Sequence, residues 1–302
     1  MTIPVIECFC MWSDLLGFGN AFQDGKWSFQ NDIAVKNVAR LQRLENSLYT
    51  SNDPSKEVAM VLNDGLARVY DLPEPDDESN QFLWWLHSAI SNHWIVNADD
   101  QQLGNPGLRS VLTFGERVRT WRGNKSWGDH FIGSTEMKLV ADKKICIYSP
   151  EEFQLNLAFS KAYIIESLGK KGNLAGSALY IDTEALEAIQ HYLTSQPRNL
   201  LCFDEVKEIS DGALLSFAMN PVSYRIDKTH SNNTYRYEIF RIATERNQPV
   251  QVMAIEFLPE SIAISHRGIE TSLWRVKRYQ PIDEAEPFYF DFDDFRFQPP
   301  KT

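Results

Sequence analysis

"CFCMWSDLLGFGNAF", Cys8 to Phe22, decides how the first half of the chain is read. An apolar run reaches back to Ile3 and ends at Ser13-Asp14, then passes through Leu15-Leu16 into the glycine turn Gly17-Phe18-Gly19. Ile, Val, Phe and Cys in close succession favour a buried strand. Asp14 then has two readings. It caps a turn, as aspartate often does at strand ends, or it is held at the end of a rigid strand to do chemistry.

Working outward, Ile33, Val35, Val38, Leu41, Leu44 and Leu48 recur at spacings of three and four, with Asn31 or Asp32 as N-cap. This predicts a helix with one face on a sheet. "EVAMVLNDGLARVYDL" places Asn-Asp-Gly between two apolar runs, a strong hairpin signal. "QFLWWLHSAISNHWIV" predicts a helix whose buried face carries Phe82, Leu86, Ile90 and Trp94. "LRSVLTFGERV" reads as a strand, Thr120 to Lys144 as a long loop or irregular hairpin, and "EEFQLNLAFSKAYIIESLG" as a helix. Ser149-Pro150-Glu151-Glu152 is expected to start that helix and Gly169 to end it. "SALYID" and "TEALEAIQHYL" add a strand and a short helix. The order strand, helix, hairpin, helix, strand, helix, strand predicts an α+β fold, an antiparallel or mixed sheet with helices on one face. From about Leu200 the runs "ALLSFAM", "YRYEIFRIA", "VQVMAIEFL", "SIAISH" and "SLWRVKRY" predict a β-rich remainder. Two domains are expected, 1–198 and 199–302. The tail "EPFYFDFDDFRFQPPKT" alternates aromatic and acidic residues and reads as simple packing, an edge strand or an aromatic-anchored arm.

The 302 residues are 43% hydrophobic and 12% aromatic, enough for a large core. Thirty Lys and Arg against 41 Asp and Glu give a formal charge of −11, which speaks against a nucleic-acid surface. "MTIPVIECFCMW" lacks a basic n-region, so neither a signal peptide nor a spanning helix is expected, and the cytoplasm is the expected location. Cys8, Cys10, Cys146 and Cys202 show no CxxC spacing and read as buried thiols. The six histidines, His87 and His93 among them, show no HxxxH pattern. GxSxG, GxxxxGK[ST] and GxGxxG are absent too. Trp84, Trp85 and Trp94 read as core or dimer interface. Arg267, Arg275, Lys277 and Arg278 read as a solvated strand face or a phosphate- or partner-binding one.

Two carboxylates stand at aimed positions: Asp14 at the end of the first strand and Asp64 in the turn of the hairpin expected beside it. Brought to one end of a sheet they would repel each other, and a bound pair of Mg²⁺ ions would relieve that repulsion while clamping a phosphate. The backbone N–H groups of Leu16, Gly17, Phe18 and Gly19 would then cradle the outer phosphates. Against this stands the plain backbone preference of Asp-Gly for hairpin turns.

"FCMWSDLLGFG" resembles the first metal-binding signature of the class III nucleotidyl (adenylate/guanylate) cyclase catalytic-domain family, and "MVLNDGLARVYDL" its second metal hairpin. "GLRSVLTFGE" is similar to the family's Arg-bearing strand, and "NLAFSKAYIIES" with "LYID" to its next helix and strand. The resemblance spans roughly residues 3–190. It implies a ferredoxin-like, polymerase-palm-type core, with a ribose 3′-hydroxyl attacking the α-phosphorus of a nucleoside triphosphate to give a cyclic nucleotide and pyrophosphate. By the same resemblance Asp14 and Asp64 are metal ligands, Leu15 offers a backbone carbonyl, and two Mg²⁺ or Mn²⁺ ions and a homodimer are implied. Anchored on Ala162, the ribose-orienting asparagine falls at Ser160, the charge-stabilising arginine at Ile164, and the base-selecting positions near Met60 and Phe153. Isoleucine cannot neutralise developing charge, so Arg109, Arg117, Arg119 and Lys161 are the candidate replacements. A divergent cyclase and a catalytically inactive nucleotide-binding or interaction module both fit.

Overall fold

The protein is described by a computed structural model over residues 5–28, 32–50, 57–72, 79–118, 135–140, 143–148, 151–174, 176–195, 198–203, 207–209, 212–214, 217–243, 249–281, 289–293 and 295. Strand β1 (Val5–Leu15) leads into helices α1 (Phe18–Asp24) and α2 (Asp32–Asn46), strands β2 (Glu57–Leu62) and β3 (Gly65–Asp71), helix α3 (Ser79–Gln102) and strand β4 (Leu108–Val118). Then come β5 (Thr135–Val140), β6 (Lys143–Tyr148), α4 (Leu157–Leu168), β7 (Ala178–Asp182) and α5 (Thr183–Thr194). The remainder is β8 (Arg198–Phe203), β9 (Lys207–Ile209), β10 (Gly212–Leu214), β11 (Phe217–His230), β12 (Tyr235–Ala243), β13 (Pro249–Phe257), β14 (Ile262–His266), β15 (Ile269–Pro281) and β16 (Phe290–Asp291).

The fold is the expected α+β one. A large sheet runs β2-β3-β1-β4-β7-β15-β13-β12-β11-β8, with β14 and β16 added on β15. It is mostly antiparallel; β4 and β7 pair in parallel. Side chains alternate across a strand, so β1 serves two layers. Phe9 and Met11 face a core that includes Phe82, Leu86 and Ile90 of α3 and Leu186 and Ile189 of α5. Cys8, Cys10 and Trp12 face the opposite way, against Ala158 and Ala162 of α4. Thus α2, α3 and α5 share one side of the sheet, and α4 is the exception on the other. β15 joins β7 to the C-terminal strands. The core around α3 also contains Tyr237, Ile255, Val276 and Tyr279, so α3 is apolar on more than one face because strands of both halves of the chain cover it. Burying each large side chain of that cluster contributes about 1.5–3 kcal/mol.

Three local expectations need correction. In α2, Val35 is 64% and Val38 44% exposed, while Asn37, Arg40 and Leu44 are buried. The inward face of α2 is partly polar because it covers the chain leaving β1, where carbonyls need donors. Asn37 Nδ2 donates to the Phe18 carbonyl at 2.8 Å and Arg40 Nη2 to that of Leu16 at 3.0 Å. Next, α4 starts later than expected. Its N-cap is Asn156, whose Oδ1 accepts the Phe159 N–H at 2.8 Å. Leu155, at φ 49°, breaks the path from the short turn over 151–153 into α4. Finally, the hairpin turn takes its positive φ at Asn63 (51°), not at Gly65.

Of the expected loop or irregular hairpin over 120–144, residues 135–140 and 143–144 belong to a hairpin, β5–β6, that runs on to Tyr148; residues 119–134, Arg119 among them, lie outside the described residues. The C-terminal aromatics pack: Phe290, Phe292 and Phe295 join the core around α3, and Trp94 Nε1 donates to the Asp291 carbonyl at 2.8 Å. Trp85 and Trp94 are buried, whereas Trp84 is exposed.

Candidate functional site

At its C-terminal end β1 lies between β3 and β4, with Asp14 opposite Gly65 on one side and Arg109 on the other. The Leu15 N–H donates to the Asp64 carbonyl at 2.9 Å, so the hairpin turn closes against the same strand end. The structure thus brings Asp14, Leu15 and Asp64 together, and it adds Arg109. A fifth residue, part of "NLAFSKAYIIES" but given no role by the sequence, is Glu166 of α4. Its Oε1 accepts Nε of Arg109 at 2.8 Å and Nη2 at 2.5 Å, with both side chains nearly buried.

Asp14 accepts no hydrogen bond on its carboxylate and makes no ion pair among the described residues. Burial, helped by the charges of Glu166 and Asp64 and opposed by Arg109 and Arg40, raises its pKa to about 7. A half-buried carboxyl with negative neighbours and no partner is a place where a cation is favoured. Two carboxylates and the Leu15 carbonyl are hard oxygen donors suited to Mg²⁺ or Mn²⁺, with water and phosphate oxygens to fill the remaining positions. The residues present therefore fit such an ion, although among the described residues no group of three His, Cys, Asp or Glu side chains is placed to hold a metal.

The turn after β1 is held by a buried ion pair. Arg40 Nε and Nη2 reach Asp100 of α3 at 2.8 and 2.7 Å, and Asp100 also accepts the Gly107 N–H at 3.1 Å. Gly17 has φ 70°, a conformation that favours glycine, and Pro106 packs against it. The Leu16 N–H donates to the Gly107 carbonyl at 2.9 Å, which takes it out of the expected phosphate cradle because a strand-type hydrogen bond already satisfies it. Gly17, Phe18 and Gly19 lie where β1 gives way to α1.

Behind Asp14, on the α3 side, Ser13 Oγ and Ser110 Oγ are 2.6 Å apart, and Ser110 Oγ is 2.7 Å from His93 Nδ1. Burial lowers the pKa of His93 to about 3, so it is neutral and structural. Burial likewise pushes the Cys8 thiol up to about 12 and that of Cys10 higher than usual, which makes both unreactive.

The other candidate cations are elsewhere. Arg117 donates to Asp71 at 2.6 and 2.5 Å and lies opposite Ile6. Eight strand residues, about 26 Å, separate that row from Asp14. Lys161 pairs with Asp182 and with Glu184 at 2.5 Å. On α4, Ser160 Oγ donates to the Asn156 carbonyl at 2.9 Å, and Ile164 is partly exposed. Met60 and Phe153 belong to the apolar layer around Trp12.

Asp100, Arg40 and Glu166 were missed for one reason. Each is a charged residue in a helix, where charge ordinarily signals a solvated face, and only the register of three elements shows that it is turned inward. The one available cue is that Glu166 interrupts an apolar helix that already carries the resemblance.

Among the described residues no helix is long and apolar enough to cross a membrane. No protein-family model matches the chain, and no curated protein matches it. Among solved structures it is similar to the guanylyl cyclase Cya2 at 12% identity and TM-score 0.40, over 94% of this chain and 97% of that one. It is also similar to the adenylyl cyclase CyaB from P. aeruginosa at 8% identity and TM-score 0.42, over 95% and 100%. A bacterial light-regulated adenylyl cyclase follows at 13% identity and TM-score 0.35, over 72% and 91%. Likenesses this distant carry no weight in assigning chemistry.

Proposed function

We propose that this chain is a divergent nucleotidyl cyclase-like protein that binds a nucleoside triphosphate through divalent ions held by Asp14, Asp64 and the Leu15 carbonyl. The observation that carries the reading is the unpartnered Asp14 carboxyl beside the Asp64 turn at one sheet end. When bound, two Mg²⁺ or Mn²⁺ ions would offset the triphosphate charge and favour ionisation of the ribose 3′-hydroxyl. The protein's own part is to hold one carboxylate at the end of β1 and the other in the adjoining β2–β3 turn, to fix the turn after β1 through Arg40 and Asp100, and to present Gly17, Phe18 and Gly19 to the phosphates. Of the three described cations considered, Arg109 is the one at the aspartate end and the candidate for stabilising charge. We assign residues 1–198 as the part carrying the chemistry and 199–302 as the part covering α3. A homodimer would let a second chain supply the charge that Ile164 lacks.

A specific observation favours a second reading, a nucleotide-binding module without turnover. Ser160 has turned its hydroxyl back onto its own helix, and Ile164 has no charge to offer. The experiment is incubation with each of the four ribonucleoside triphosphates and Mn²⁺ or Mg²⁺. Pyrophosphate together with a cyclic product supports the cyclase. Metal-dependent binding without product supports the module, and no binding of any triphosphate overturns both.

A further inference from the structure

Arg109 and Asp14 are directly opposite each other on neighbouring antiparallel strands. Residues so placed point to the same face with Cα atoms about 5 Å apart, and opposite charges there ordinarily pair. Here they do not. Arg109 gives both Nε and Nη2 to a single oxygen of Glu166, and the end of α4 closes over it. A Cβ built at Gly169 would lie 3.5 Å from Nη2 and 3.7 Å from Nη1. The guanidinium is thereby fixed in a slot between β4 and α4, and Asp14 is left without a partner. The second oxygen of Glu166, itself 4% exposed, accepts no hydrogen bond among the described residues, so the pair is committed but not saturated.

We propose that Glu166 is a positioning residue that guards the metal site: by holding Arg109 it keeps that guanidinium from occupying Asp14, which stays open to a divalent cation. The inference rests on Asp14 being a metal ligand. It gives Glu166 a role exerted through another side chain, not one of contact with the ion. A cation on Asp14 and an arginine on Asp14 are mutually exclusive, and Glu166 sets which prevails.

The test uses the full chain and Mn²⁺ alone, with binding followed by calorimetry or by the electron paramagnetic resonance signal of the free ion. Glu166→Gln should weaken Mn²⁺ binding about tenfold or more, as loss of a group supporting a metal ligand commonly does. Arg109→Met should bind at least as tightly as the wild type. The double variant Glu166→Gln/Arg109→Met leaves no competitor for Asp14 and should regain wild-type affinity. It also removes both buried charges together, so it remains informative if Glu166→Gln alone does not fold. A purely structural pair predicts that Arg109→Met, which breaks the pair from the other side, weakens Mn²⁺ binding as Glu166→Gln does, and that result overturns the proposal. Wild-type binding with Glu166→Gln unchanged overturns it too while sparing the metal reading. A wild-type protein that binds no Mn²⁺ overturns the metal reading and this inference together.

Discussion

The indole of Trp12 occupies the place a side chain would take at Gly65: a Cβ built on Gly65 would stand 2.1 Å from Cη2 and 2.2 Å from Cζ2 of that ring. Trp12 and Asp14 are on the same face of β1, and Gly65 is the strand partner of Asp14. The glycine after Asp64 is therefore needed for close packing beside the site, while the turn takes its left-handed residue from Asn63. Gly65→Ala should force the buried indole or the hairpin to move and cost about 1–3 kcal/mol, as overpacking generally does. Urea denaturation measures it, and a variant as stable as the wild type would mean that Trp12 moves freely.

Arg40 and Asp100 form a second testable pair. Both are almost fully buried, and between them they satisfy the Leu16 carbonyl and the Gly107 N–H. Arg40→Met would leave Asp100 as an uncompensated buried charge, a loss of about 3–5 kcal/mol. Arg40→Met/Asp100→Leu should recover much of that loss, read as a midpoint in urea closer to wild type than that of the single variant.

Much of this fold was legible. The unbroken apolar run "CFCMW" and the Asn-Asp-Gly signal report burial and turning directly, and β1, β2 and β3 form accordingly. The inward face of α2 was not legible, because Asn37 and Arg40 are turned in by the carbonyls of Phe18 and Leu16, which no helical period encodes. In the site, Asp14 and Asp64 stood out because each ends or joins a strand. Glu166 did not, since its partner Arg109 is 57 residues away and meets it only once α4 lies across β4.

Asp14 also makes the metal-free protein sensitive to pH. Its folded-state pKa, raised to about 7 mainly by burial, lies above that of an exposed aspartate. Between about pH 4 and 7 the folded chain keeps a proton that the unfolded chain has released, so stability should fall as pH rises through that window and level off above it. The carboxyl is not fully buried, and solvent screening limits the effect to about 1 kcal/mol. Asp14→Asn should flatten this part of the profile. Denaturation at pH 5 and 7.5 decides it; equal slopes for the two proteins would mean that Asp14 titrates as an ordinary surface carboxyl.

Asn substitutions at the two aspartates separate chemistry from folding. Asp14→Asn keeps the side-chain shape and removes one charge from a cluster with Asp64 and Glu166, so the metal-free fold should be as stable as the wild type or slightly more so. Asp64→Asn should be as well tolerated, because the demanding backbone conformation of the turn belongs to Asn63. Metal-dependent nucleotide binding should nevertheless fall sharply in both. If the two carboxylates share one centre, the double variant should lose little beyond either single one, since groups that act as a unit are not additive. Thermal melts without metal and triphosphate binding titrations with Mn²⁺ on the three variants give the answer. Intact stability with unchanged binding in both single variants would reduce "SDLLGFG" to a turn, and additive losses in the double variant would mean that each aspartate acts on its own.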